Sequence, residues 1–302
     1  MKYFSNFITF VNEGGNTFKN TSPIEATEVA PTLKDLYSYI IPEFKLKDED
    51  FSPIGSTGKK KPGTYSGDID IALNGLTIGS RFNLHFNEVV DYVYERLKHL
   101  FPNLNVNLTK GLGVTNIAFP IHGTDKFVQI DFMVVNDLEL AKFFYHSPNF
   151  IFDESKYKGI YRTILMYEIV KSMDLDREET YFDDKEFEGK FKGQLKTFKK
   201  FTATAHDGIK KQMKSFVGKN GVLKNAQIQR EFDEIVTKEP IEIVKIILGQ
   251  NATISDMNSF ESIYHKMQSA DFPHKNNFHK VIEDYKIRLK ELNLPFPSEL
   301  KD

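Results

Sequence analysis

Ile54-Gly55-Ser56-Thr57-Gly58-Lys59-Lys60-Lys61-Pro62-Gly63-Thr64-Tyr65-Ser66-Gly67-Asp68-Ile69-Asp70-Ile71 is the stretch whose reading decides the fold. It follows a short apolar segment, Phe51 to Ile54, and it ends on two aspartates separated and followed by isoleucine. The period-two alternation of Asp68-Ile69-Asp70-Ile71-Ala72-Leu73 predicts a strand with both carboxylates on one face. Two like charges that close repel unless a cation sits between them, and an oxygen-only ligand set selects a hard cation such as Mg²⁺. Upstream, Gly55-Ser56 offers an unobstructed backbone and a hydroxyl, a combination suited to a phosphate. A third carboxylate, Asp131, stands in a second predicted strand, Val128 to Val135, flanked by apolar residues.

An apolar-Gly-Ser turn, eleven intervening residues, Asp-apolar-Asp-apolar and a later apolar-Asp-apolar strand follow one another here. Over residues 50–136 this order resembles the nucleotidyltransferase superfamily typified by DNA polymerase β. The same superfamily contains tRNA CCA-adding enzymes, poly(A) polymerases, oligoadenylate and cyclic-dinucleotide synthases and aminoglycoside nucleotidyltransferases. The resemblance implies an α+β catalytic core, a mixed sheet with helices packed on it. It also implies transfer of a nucleoside monophosphate from an NTP, with ATP as the default, to an acceptor hydroxyl with release of pyrophosphate.

Asp68, Asp70 and Asp131 would then be the catalytic residues and the ligands of two Mg²⁺ ions, with Mn²⁺ as a substitute. Gly55 and Ser56 would bind the nucleotide, Ser56 and nearby amides gripping the β- and γ-phosphates. A basic residue on a helix after the catalytic sheet often meets the triphosphate in this superfamily, and by chain order alone Lys156, Lys158 and Arg162 are the candidates. One departure is the lysine-rich loop with Pro62-Gly63 between the Gly-Ser turn and Asp68, which leaves that loop's contacts with the nucleotide open.

At 302 residues the chain is long enough for about two domains. A formal net charge of −2 excludes a globally basic nucleic-acid binder, although it says nothing of local patches. With no cysteine there is neither a disulfide framework nor a thiolate nucleophile, which suits a reducing cytoplasm. The first residues are too polar for a signal-peptide core, and no apolar run is long enough to span a bilayer, so no membrane partner is expected.

Taken in order, the periodicity predicts a helix from Ile24 to Tyr39, the Asp68 strand and a turn at Asn74-Gly75. A helix from Asn87 to Leu100, strands over 105–109 and 113–120, and the Asp131 strand come next. Short and long helices over 137–145 and 154–173 follow. Lys59, Lys60 and Lys61 are either a solvated loop or a basic lip over the triphosphate or acceptor.

These patterns suggest a catalytic domain over 1–175 and a mainly helical C-terminal domain over 176–302, with helices across 226–294 divided at Pro240, 249–251 and Pro273. Between 185 and 224 stand eleven lysines against Glu186, Glu188 and Asp207, interleaved with Phe187, Phe191, Phe198, Phe201 and Phe216. Such a stretch either tracks a nucleic-acid backbone, which favours an RNA 3′ end as acceptor, or pairs core phenylalanines with solvated lysines. An oligonucleotide or cyclic-dinucleotide synthase, a small-molecule or protein nucleotidyltransferase and a non-catalytic nucleic-acid-binding module are the alternatives. The eight histidines are scattered, and His146 and His206 are expected at the surface or in the core rather than in catalysis.

Overall fold

The computed structural model describes residues 17–110, 113–146, 156–173, 180–182, 192–222 and 228–300. In it the alternation at Asp68 becomes an inner strand of a five-stranded sheet. The chain enters through β1 (Ile24–Glu25), helix α1 (Ala26–Phe44), β2 (Phe51–Ile54), β3 (Tyr65–Ser66) and β4 (Asp68–Asn74). It continues through α2 (Gly75–Phe82), α3 (Phe86–Leu100), β5 (Val106–Thr109), β6 (Val114–Pro120), β7 (Phe127–Val135) and α4 (Leu138–Tyr145). The strand order is β2-β4-β7-β6-β5. Only β4 and β7 run parallel, so the sheet is mixed. A parallel pair needs a long crossover, and α2, α3 and the β5-β6 pair supply it.

Alternation divides the two faces of this sheet by chemistry. Ile69, Ile71, Leu73, Ile117, Phe119, Val128, Ile130, Phe132 and Val134 point one way into a core. There they meet Leu33, Leu36 and Ile40 of α1 and Val89, Val93 and Leu97 of α3. On the opposite face Ile54, Ala72, Val114, Met133 and Val135 cluster with Leu138 and Ala141 of α4, and Asp68, Asp70, Asn116, Gln129 and Asp131 share that face. A one-residue slip of β4 would turn Ile69, Ile71 and Leu73 out of the core, at about 1.5–3 kcal/mol each, and turn carboxylates in. The aspartates are therefore held on their face by the packing of the other one.

Asn74-Gly75, expected as a turn, starts a helix instead. The Asn74 side chain accepts a hydrogen bond from the Thr77 N–H at 3.1 Å and so caps α2. Asparagine satisfies a free helix N–H as readily as it enters a turn.

The chain divides into two compact units at 160/161, rather than at 175/176. The division falls within α5 (Gly159–Ser172). The second unit corrects the expectation of a mainly helical C-terminal half. It contains β8 (Thr180–Phe182), β9 (Lys192–Thr204), β10 (Gly208–Val222) and β11 (Ile228–Thr237), an antiparallel sheet of order β11-β10-β9-β8. Helices α6 (Pro240–Leu248), α7 (Phe260–Met267) and α8 (Phe278–Glu291) then follow, divided where expected.

Two features of the strands hide their period. Buried Ile209 and Met213 stand four residues apart, a spacing that serves helix and strand alike, and lysines occupy successive positions 210 and 211. The β9-β10 hairpin closes on Gly208, whose φ of +64° suits glycine in a tight loop after Asp207. Lys185, Lys190, Lys224, Phe187 and Phe191 lie outside the described residues. The side chains of Lys192, Lys196, Lys219, Phe198 and Phe216 lie outside the described side chains.

Candidate metal and nucleotide site

The parallel register of β4 and β7 sets Asp70 opposite Asp131 and Asp68 opposite Gln129. One ligand oxygen from each of Asp68, Asp70 and Asp131 lies within 4.8 Å of the others. Asp131 is buried and held by carboxamides on the same face. Asn116 Nδ2, from the neighbouring β6, donates to its Oδ1 at 2.7 Å. Gln129 Nε2 donates to Oδ1 at 2.9 Å and to Oδ2 at 3.1 Å.

Burial pushes the Asp131 carboxyl up to about 7, opposed by the Asn116 and Gln129 hydrogen bonds and assisted by the charge of Asp68. Burial, and then Asp68 and Asp131, hold Asp70 well above the usual carboxylate range. Three carboxylates that resist being charged together are a donor set that a hard divalent cation relieves. The residues present fit Mg²⁺ or Mn²⁺.

The Gly-Ser turn leans on this cluster. Ile54 pairs with Asp70 across β2 and β4. Gly55 follows at φ +62°, and a Cβ there would stand 2.2 Å from Asp70 Oδ2. Only glycine lets the backbone approach so closely. The buried Thr57 hydroxyl accepts the Asp70 N–H at 3.1 Å, while Ser56 is half-buried beside it.

From the C-terminal end of α4, His146 Nδ1 donates to the Gly55 carbonyl at 3.2 Å. The Lys59 ammonium in turn donates to the His146 carbonyl. Burial, with Lys59 and Lys142 nearby, pulls the His146 imidazole down to about 4 against its bond to Gly55, so the ring is neutral at pH 7. Lys60 donates to the Tyr65 carbonyl at 2.6 Å. Its pKa is lowered by burial, while Asp68 raises it and Lys158 lowers it.

The basic candidates from the helix region therefore separate. Lys158 is exposed and close enough to Lys60 to be felt electrostatically, and Lys156 is exposed. Arg162 is buried in the second unit, its Nε donating to the Met257 carbonyl, and burial lowers its pKa to about 10.

Sequence reasoning passed over Thr57, Asn116, Gln129 and His146. Gln129 was within reach, because a residue two before Asp131 on a strand shares its face. Asn116 needed the pairing of β6 with β7. The described part of the basic stretch carries its own counter-charges. Lys199 pairs with Glu231, and Lys210 bonds Asp207 at 3.0 Å and Asp233 at 2.7 Å. In register, Lys214 faces Glu231 and Lys211 faces Glu234.

The class defined by these observations is an α+β protein bearing a carboxylate triad on the polar face of a mixed sheet. No family model, no curated protein and no solved structure matches the chain. Among the described residues no helix is long and apolar enough to cross a membrane.

Proposed function

We propose that this chain is a metal-dependent nucleotidyltransferase that moves a nucleoside monophosphate from an NTP to an acceptor hydroxyl, releasing pyrophosphate. The observation that carries the reading is the meeting of Asp68, Asp70 and Asp131 within 4.8 Å directly in front of the Gly55-Ser56 turn. Bound there, two Mg²⁺ ions would supply charge stabilisation to the entering and leaving oxygens of an in-line displacement. Asp68 and Asp70 would hold both ions, and Asp131 would help hold one. The backbone at Gly55 and the Ser56 hydroxyl receive the phosphates. Thr57 and His146 fix that turn against Asp70 and α4. Lys60 places positive charge near Asp68 and lies near Lys158 in turn, where a polyphosphate would lie.

For the acceptor, the lysines of 185–224 support an RNA 3′ end. The carboxylates of β11 that pair with Lys199 and Lys210 support the second reading, in which the acceptor is itself a nucleotide. Incubation with each α-labelled NTP and Mg²⁺, with and without total tRNA, tests both readings beside an Asp68→Asn/Asp70→Asn protein. Label in small products without RNA supports the nucleotide acceptor, and label in RNA supports the tailing enzyme. Turnover that survives the double substitution sinks the triad as the catalytic centre.

A further inference from the structure

Asp131 differs from an ordinary metal-binding carboxylate in how much of it is already occupied. A carboxylate offers about four lone-pair positions in its plane. On Oδ1 two are taken, by Asn116 Nδ2 at 2.7 Å and Gln129 Nε2 at 2.9 Å. On Oδ2 one is taken, by Gln129 Nε2 at 3.1 Å. Counted against those positions, about one is left, and it is on Oδ2.

Both amides are themselves locked in the orientation that turns nitrogen toward the carboxylate. The Thr17 backbone N–H donates to Gln129 Oε1 at 2.9 Å. Thr109 Oγ1 and Asn107 Nδ2 donate to Asn116 Oδ1 at 3.4 and 3.5 Å. Flipping Gln129 would set its NH2 against the Thr17 N–H and its oxygen against the carboxylate, and flipping Asn116 would set its oxygen against the carboxylate. Asn116, Gln129 and Asp131 are each buried, so water does not replace a lost bond cheaply.

We propose that Asn116 and Gln129 are positioning residues that occupy Oδ1 of Asp131 and leave it to bond its cation at a single point, through Oδ2. The proposal rests on the nucleotidyl-transfer reading and refines it. Of the three aspartates, only Asp68 and Asp70 would serve the other cation, together with the phosphates. The Gln129 amide is tied in turn to the segment at Thr17, outside the sheet, so that segment contributes to one metal site and not to the other.

The test is a Mn²⁺ titration of the full chain, followed by electron paramagnetic resonance, with the non-hydrolysable analogue α,β-methylene ATP bound. Wild type is expected to bind two ions. In Gln129→Met one site keeps its affinity while the other weakens by about 10–100-fold, the usual effect of removing a partner of a metal ligand. Nucleotide affinity stays as in wild type, a separation that general loosening of the fold would not produce.

Thr17→Pro removes only the N–H that orients Gln129, at an exposed position. It is expected to weaken the same site to a smaller degree, and it decides the matter if Gln129→Met does not fold. Two Mn²⁺ sites bound as tightly as in wild type by both variants overturn the proposal. A wild-type chain that binds neither Mn²⁺ nor the analogue overturns the nucleotidyl-transfer reading itself, a result distinct from the first.

Discussion

Removing the charge of Asp131 is expected to stabilise the metal-free protein. Burial carries its carboxyl from 3.8 to about 7 in the folded chain, although Asn116 and Gln129 oppose the rise. A folded pKa above the unfolded one means that the native state binds the extra proton, so stability is full at acid pH and is lost as pH rises through about 7. At 1.36 kcal/mol per pKa unit, the ionised group disfavours folding by roughly 4 kcal/mol near pH 8.

Asp131→Asn abolishes that cost but turns an amide nitrogen toward Gln129 Nε2, a donor against a donor, which returns about 1–3 kcal/mol. The net gain is about 1–3 kcal/mol near pH 8, a rise in Tm of roughly 5 °C. Near pH 5 the wild-type carboxyl is already protonated in the fold, and the gain shrinks to about nothing. Calorimetry in EDTA at both pH values, repeated with excess Mg²⁺, makes the comparison. Mg²⁺ should raise the wild-type Tm more than that of Asp131→Asn, which keeps only the ion that Asp68 and Asp70 would hold. A variant less stable than wild type by the same amount at both pH values refutes the reasoning, as does a variant that Mg²⁺ stabilises as much as wild type.

Gly55→Ala introduces a Cβ that would stand 2.2 Å from Asp70 Oδ2. Nucleotidyl transfer should fall by roughly 100-fold with about 1 kcal/mol of stability lost, and an alanine variant of wild-type rate would remove the close approach from the account. With its imidazole pulled down to about 4, His146 should contribute no limb to the pH–rate profile between about pH 6 and 8. A limb there that disappears in His146→Gln would show a titrating histidine instead. Arg162→Met deletes a buried donor to the Met257 carbonyl and should cost about 1–3 kcal/mol of stability while KM for the NTP holds, whereas a raised KM at constant Tm would place Arg162 at the nucleotide. If β11 neutralises the lysines opposite it, RNA binding should weaken only shallowly with salt, with a log–log slope below about two. A steep slope lost in Lys199→Ala/Lys210→Ala would return these lysines to the phosphate backbone.

How much of this was legible depended on whether one strand sufficed or a pairing was needed. Asp68 and Asp70 share a face by alternation alone, and Asp131 is marked by the same apolar flanks. Their meeting, however, requires β4 and β7 to run parallel with Asp70 opposite Asp131, and no local pattern encodes that register. The same limit hid Asn116, which reaches Asp131 only because β6 pairs with β7. His146 is expected away from catalysis, and its one hydrogen bond to a carbonyl 91 residues earlier in the chain is marked by no local pattern. Arg162 misled for the opposite reason, since a cation on a helix face looks alike whether it meets solvent or a buried carbonyl.

The second unit shows what composition conceals. Its strands carry charge so densely that apolar periodicity is nearly lost, and a count of lysines reads as a basic surface. Charge in a sheet is spent locally when the adjacent strand carries the opposite sign, because cross-strand neighbours stand within about 5 Å. Glu231, Asp233 and Glu234 on β11 lie just beyond the stretch in which the lysines were counted, yet they face Lys214, Gln212 and Lys211 of β10. A linear window thus overstates the field such a sheet projects, whereas Asp68, Asp70 and Asp131 are three strand positions of one sign brought within 4.8 Å. The difference between the two charged regions lies in which strand positions meet, not in the number of charges.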